Sequence, residues 1–150
     1  MKKINFCLVG ILSILSGCAT GPTYQNYSKT DAACIDGDVA NFIKFFSDGE
    51  AHVRIAEVDE LQANSNPVCV PPGEHKVGFT AVNSGRTVNE YITFNFEASK
   101  KYKIKANVRG IAFDCTLNDI TDGTEKKLSE FRVKISGSSQ AYVPIIIPSN

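Results

Sequence analysis

"VCVPPGEHKVGFTAV", residues 68–82, decides the fold. Its second half alternates, with Val77, Phe79 and Ala81 on one face and Lys76, Gly78 and Thr80 on the other, the period-two pattern of a half-buried strand. Its first half stops a strand and restarts it. Pro72 presets φ for the second position of a type II turn, Gly73 supplies the positive φ of the third, and Pro71 is held extended by the proline after it. The segment therefore reads as a short strand, a sharp corner at Pro72 and Gly73, and a long strand from His75. His75 shares the parity of Val77, so its imidazole is expected as a partly buried, hydrogen-bonded group at the rim of the core.

The same alternation recurs on both sides of this corner. Val53 and Ile55 share a face in "AHVRIAEV", and Ile92, Phe94 and Phe96 do in "EYITFNF". "KYKIKANV" presents Tyr102, Ile104, Ala106 and Val108, with Lys101, Lys103 and Lys105 opposite. "IAFDCTL" presents Ile111, Phe113, Cys115 and Leu117, and "FRVKI" presents Phe131, Val133 and Ile135. Turn pairs fall between them at Asp36-Gly37, Asp48-Gly49, Ser84-Gly85, Arg109-Gly110 and Asp122-Gly123. Short alternating runs punctuated roughly every dozen residues predict an all-β fold, a single antiparallel β-sandwich of about seven strands. "GDVANFIKFFSDGE" (37–50) fits a helical turn through Phe42, Phe45 and Phe46, or a hairpin closing on Asp48-Gly49. The tail "AYVPIIIPSN" (141–150), interrupted by Pro144 and Pro148, reads as an edge strand or an extended wrap over the domain.

The amino terminus has a different character. Lys2 and Lys3 precede an apolar run from Ile4 to Leu15, shorter than the ~20 residues that cross a hydrocarbon core, and small residues follow. Residues 1–17 read as an export signal. Leu15-Ser16-Gly17-Cys18 resembles the lipobox of bacterial lipoproteins, which implies that Cys18 becomes the acylated first residue and that the lipid bilayer is a partner. On the same resemblance, Ala19 implies an outer-membrane address. Residues 18–33 lack periodicity and read as a lipidated terminus and flexible tether; 34–150 form the sandwich domain.

An exported domain meets an oxidising compartment, where Cys34, Cys69 and Cys115 can pair. Cys115 lies on the apolar face of its strand and reads as a buried small hydrophobe. Cys34 and Cys69 point away from their apolar neighbours, so parity favours a Cys34–Cys69 disulfide, with the pairings through Cys115, or no bond, as alternatives.

Composition and motifs exclude several functions. The chain has 16 basic and 16 acidic residues, and its lysines are spread among acids and turns rather than in a basic stripe, so no nucleic-acid partner is expected. Two histidines in separate strands, without zinc-ligand spacing, predict no metal site. Asp119, Asp122, Gly123 and Glu125 approach a calcium loop, but Ile120 takes a ligand position, and a polar hairpin is the better reading. Nucleophile, metalloprotease and phosphate-loop motifs are missing, so neither a cofactor nor enzymatic activity is expected.

"VRIAEVD" (53–59), "VCVPPGEHKVGF" (68–79), "ITFNFEASKKYKIKA" (92–106) and "FDCTLNDITDG" (113–123) together resemble small bacterial lipoproteins with PEGA-like, transthyretin-like sandwich domains. Ser99-Lys100-Lys101 departs from that family's Ala-Gly-Lys, which suggests a looser turn there. The resemblance implies a periplasmic, membrane-tethered, non-enzymatic binding or structural module with an envelope protein as partner. An inhibitor of a periplasmic hydrolase and an assembly component of a secretion apparatus are the alternatives.

Overall fold

The computed structural model of the protein describes residues 21–39 and 49–135. Nine strands occur there: β1 (Ala33–Gly37), β2 (His52–Val58), β3 (Leu61–Gln62), β4 (Val68–Val70), β5 (Gly73–Asn83), β6 (Arg86–Phe96), β7 (Lys101–Arg109), β8 (Ala112–Asp119) and β9 (Lys126–Lys134). They form a five-stranded sheet in the order β4-β1-β7-β8-β9 and a four-stranded sheet in the order β3-β2-β5-β6. The two sheets face each other as an all-β sandwich. The segment 37–50, read as helix or hairpin, lies outside the described residues from 40 to 48; so do the tail and the signal segment.

Each of the six alternating stretches becomes a strand whose apolar parity lines the core. Val53, Ile55, Val77, Phe79, Ile104 and Phe113 are all but inaccessible to solvent. In the absence of tryptophan, phenylalanine and tyrosine rings supply the bulk. Phe94, Phe96 and Tyr102 meet edge to face with centroids 5.0 to 5.7 Å apart. Phe79 and Phe131 join the two sheets farther along at 5.9 Å.

The glycine turns build the hairpins. Ser84 and Gly85 both take positive φ, +48° and +77°, as the tight connection of β5 to β6 requires. Gly110 (φ +64°) begins the two-residue turn of β7 to β8. Asp122 accepts hydrogen bonds from the backbone N–H and hydroxyl of Thr124, shaping the polar β8–β9 hairpin.

Five details depart from the sequence reading. First, there are nine strands rather than about seven, because β1 and β3 are too short for alternation to declare them. Second, the sandwich is not antiparallel throughout: β1 runs parallel to β7, with Ile35 opposite Tyr102. The two are far apart in the chain, so no hairpin imposes a direction on them. Third, Gly37 is not a turn residue. A Cβ there would lie 2.3 Å from the Val53 carbonyl oxygen, so glycine permits β1 to pass against the backbone of β2. Fourth, Ile111 is 76% exposed, because it occupies the β7–β8 turn rather than the strand. Fifth, the turn before β7 is tied down rather than loose: Ser99, at φ +59°, donates from its N–H to the Asp31 carbonyl and from its hydroxyl to that of Thr30.

Those last bonds belong to a larger finding. The expected tether does not hang free up to residue 33. From Pro22 onward it lies along the sandwich as a strap, with Thr23 bridged to Gln62 and Tyr24 donating its N–H to the Gln62 carbonyl. Tyr27 donates in the same way to the Cys69 carbonyl. The strap closes the side of the sandwich where β3 and β4 would otherwise present unpaired edges.

Candidate functional site

The corner at residues 68–77 gathers most of the residues singled out by chemistry. Gly73 takes φ +135°, positive as expected but wider than the roughly +80° of a type II turn, so Pro72-Gly73 forms an open bend and Gly73 starts β5. The bend carries the chain from one sheet to the other. His75, two residues on, packs its ring 6.4 Å from that of Phe96. Its Nδ1 lies 2.6 Å from Asp59 Oδ2 and its Nε2 3.0 Å from the Pro71 carbonyl oxygen. Asp59 is held at φ +49° in the tight β2–β3 turn, and its other oxygen accepts the Lys76 N–H at 3.0 Å. One carboxylate thus clasps the β2–β3 turn to the start of β5, and the imidazole spans from that clasp to the corner. Both ring nitrogens face acceptors, so the ring acts as a brace.

Cys34 and Cys69 are disulfide-bonded, as parity favoured. They sit opposite one another in the β1–β4 ladder, flanked by buried Ala33, Ile35, Val68 and Val70, and so project to the outer side of their sheet. The strap crosses this point: Tyr24 Oη donates to the Cys69 carbonyl at 3.1 Å, and the Asn26 side-chain oxygen accepts the Cys69 N–H. Cys115 is the free, buried thiol expected of it, and burial, reinforced by Asp114 and Glu90, pushes it up to about 12. That thiol is protonated at any ordinary pH and is a poor nucleophile.

The acids of "LNDITDGTEKK" have separate partners. Asp119 is held down to about 2, first by the Thr121 hydroxyl and then by the Thr121 backbone and by Lys100, whose ammonium lies 3.0 Å away. Asp122 is turned onto Thr124, and Glu125 pairs with Lys105 at 2.8 Å. Among the described residues, no group of three or more acid, histidine or cysteine side chains could hold a metal ion. Two of the three lysines on the polar face of β7 are paired, Lys103 with Asp38 at 3.6 Å and Lys105 with Glu125. Asp114 receives Arg109 and Arg132 at 3.2 and 3.3 Å.

One surface feature escaped the sequence reading. On the outer face of the four-stranded sheet, Tyr91 stands opposite Gly78 in the β5–β6 ladder and is 44% exposed. A Cβ on Gly78 would meet the tyrosine ring at 2.8 Å, so the glycine makes room for the ring to lie against the sheet. Tyr91 Oη donates to Glu57 at 2.9 Å, and that bond is the main reason its ionisation is pushed up. The Lys76 ammonium lies 4.8 Å from the ring centroid, a cation–π contact. Three neighbouring strands thus fix an exposed aromatic in one orientation. The signal in the sequence was a glycine within an otherwise continuous strand, which marks close approach by another group.

The sandwich and its braced corner stand without a counterpart in the comparisons: no protein-family model, no characterised protein and no solved structure matches this chain.

Proposed function

We propose that the protein is a lipid-anchored, non-enzymatic binding or structural module of the bacterial cell envelope, attached to the outer membrane through acylated Cys18 and facing the periplasm. The observation that carries this reading is Leu15-Ser16-Gly17-Cys18 at the end of a short apolar run, a few residues before the strap begins. The Cys34–Cys69 disulfide supports it, because such bonds persist in exported proteins and are rare in the cytosol. A PEGA-like or transthyretin-like kinship for the sandwich belongs to the same proposal.

The strap changes the geometry of attachment. Among the described residues the strap's pairing starts at Pro22, whose carbonyl accepts the Gln62 N–H, and only three residues, Ala19, Thr20 and Gly21, lie between it and Cys18 in the sequence. At ~3.3–3.6 Å per residue, that spacer reaches at most about 15 Å. The domain is then held close to the lipid, with the β3–β4 side nearest the anchor. Tyr91, rigid and exposed on the outer face of the other sheet, is the surface offered to an envelope protein, since aromatic side chains with little freedom left to lose make effective contacts.

Cys18→Ala tests the anchor: the chain is expected to lose acyl labelling and move from the membrane to the soluble fraction. Unchanged membrane association would overturn the proposal. A photo-crosslinking side chain at position 91, in cells carrying the full chain, is expected to capture an envelope protein, and one placed at Ile111 serves as an exposed control.

A further inference from the structure

The β7–β8 turn sets an apolar side chain among cations. Gly110, at φ +64°, takes the first central position of this two-residue hairpin and Ile111 the second, where Asn, Asp or Ser is usual. Ile111 is the most exposed large apolar residue among those described. Three of the chain's four arginines meet at this turn. Arg86, at the start of β6 in the other sheet, donates to the Gly110 carbonyl at 2.6 Å, and Arg132 donates to the Arg109 carbonyl at 3.4 Å. Arg109 and Arg132 share the single carboxylate of Asp114, and Lys134 lies exposed opposite Ala112 at the end of β9. Glu130 is paired with Lys127, and Glu50 bridges Asn107 on the side of β7 away from β8. Four cations thus surround the turn with one carboxylate among them. Pairing to it still leaves the side chains of Arg109 and Arg132 79% and 57% exposed. At the opposite end of the sandwich, Glu97, Asp119 and Asp122 alternate with Lys100, Lys101 and Lys126, and no large apolar side chain among the described residues is exposed there.

We infer that the β7–β8 turn is a contact point for an anionic lipid surface, where Ile111 enters the headgroup layer and Arg86, Arg109, Arg132 and Lys134 face the lipid phosphates around it. Cations alone would suit any polyanion, and an isoleucine alone any apolar surface. The two together match an interface that is anionic outside and apolar just beneath. Arginine fits this task because its planar guanidinium can donate two N–H groups to one phosphate. The neutral carbonyl that positions Arg86 leaves its charge available. The turn is also held in place before any contact: Arg86 ties it to the other sheet, and the Ile111 carbonyl accepts the Ile135 N–H at 2.8 Å. Little ordering is then required on binding. This contact needs no acyl chain. Where Cys18 is acylated, as proposed above, the anchor raises the local concentration of lipid at the turn, so that a weak contact suffices.

Photo-crosslinking to vesicles tests this on the full chain. The reactive side chain is placed at Ile111 and, in a separate chain, at Ala98, exposed between β6 and β7 at the opposite end. Each chain is mixed with vesicles of phosphatidylcholine alone or of phosphatidylcholine with phosphatidylglycerol. Position 111 is expected to capture lipid about tenfold more in the anionic vesicles than in the neutral ones, and about tenfold more than position 98 does. Arg86→Gln and Arg132→Gln are each expected to reduce capture at 111 about fivefold. The comparison between lipids keeps every arginine, so it stands even if those variants fold poorly. No capture at 111 in anionic vesicles, or equal capture in both kinds of vesicle or at both positions, would overturn the inference. Capture of a second copy of the chain in place of lipid would assign the turn to self-association and equally overturn it. Both chains attach to the vesicle in the same way, so loss of the acyl anchor lowers capture at 111 and 98 alike, whereas failure of this contact makes the two positions equal.

Discussion

The two open sides that any two-sheet sandwich must manage are treated differently here. On one, β3 and β4 are short, the strap from Pro22 to Asp31 hydrogen-bonds across them, and a disulfide fastens β4 to β1 beneath it. On the other, β6 and β9 are long strands, and the residues between them enclose a cleft whose Ser129 hydroxyl has no partner among the described residues. Short edges offer few backbone groups to pair and can be covered by an irregular chain that uses side chains as well, as Tyr24 and Asn26 do. A long, regular edge leaves more backbone groups to be satisfied. The amino-terminal residues meet the first need.

The largest expected effect comes from breaking the covalent part of the strapped side. Replacing Cys34 and Cys69 together by alanine opens a crosslink across 35 residues, and the loop-entropy relation puts the loss at about 4 kcal/mol. The double variant is expected to unfold at much lower denaturant concentration. If its midpoint matches that of the parent, the strap and the β1–β4 ladder suffice alone, and the strapped side owes nothing to the bond.

Tyr24→Ala sharpens the comparison without touching the sheets. It removes a hydrogen bond to the Cys69 carbonyl and a half-buried ring packed against the core, for which about 2 kcal/mol is expected. Tyr24→Phe, which keeps the ring, is expected to lose only about 1 kcal/mol of that. Equal losses from both would mean that the hydroxyl rather than the packing holds the strap.

How much of this was legible in the sequence depends on the length of the feature. Strands of seven residues or more repeat their parity often enough to be read, and Val77, Phe79 and Ala81 lie in the core as their parity predicts. The Cys34–Cys69 pairing was legible for the same reason, since parity needs only apolar neighbours. The strap was not legible: residues 22–32 carry no period, and what fixes them is hydrogen bonding to partners as far off as Cys69 and Ser99. Gly37 misled because a glycine after aspartate serves a turn or a close approach equally well, and only the position of Val53 distinguishes them. Asp59 as the partner of His75 depended on the β2–β3 turn, whose two-residue strand leaves no pattern.

The smallest expected effect concerns acid, and it reports on the turn to which the strap is anchored. Asp119 fixes Thr121 and receives Lys100, the residue after Ser99, to which Asp31 of the strap is bonded. Its carboxyl is depressed to about 2, first by the Thr121 hydroxyl, against an ordinary value near 3.8. A depressed carboxylate stabilises the fold at pH values above its unfolded pKa, and that contribution is lost as pH falls through the folded one. The loss from this group therefore falls between about pH 4 and pH 2. Asp119→Asn, which keeps the shape but not the charge, is expected to be less stable than the parent at pH 7 and to converge with it by pH 2 in thermal melts. Because Ser99 and Lys100 join this group to the strap, amides of residues 27–32 are expected to lose exchange protection in the variant before those of β5 and β6 do. Parallel loss across both sheets would mean that the acid-sensitive turn serves the whole sandwich and that the strapped side has no separate stability of its own.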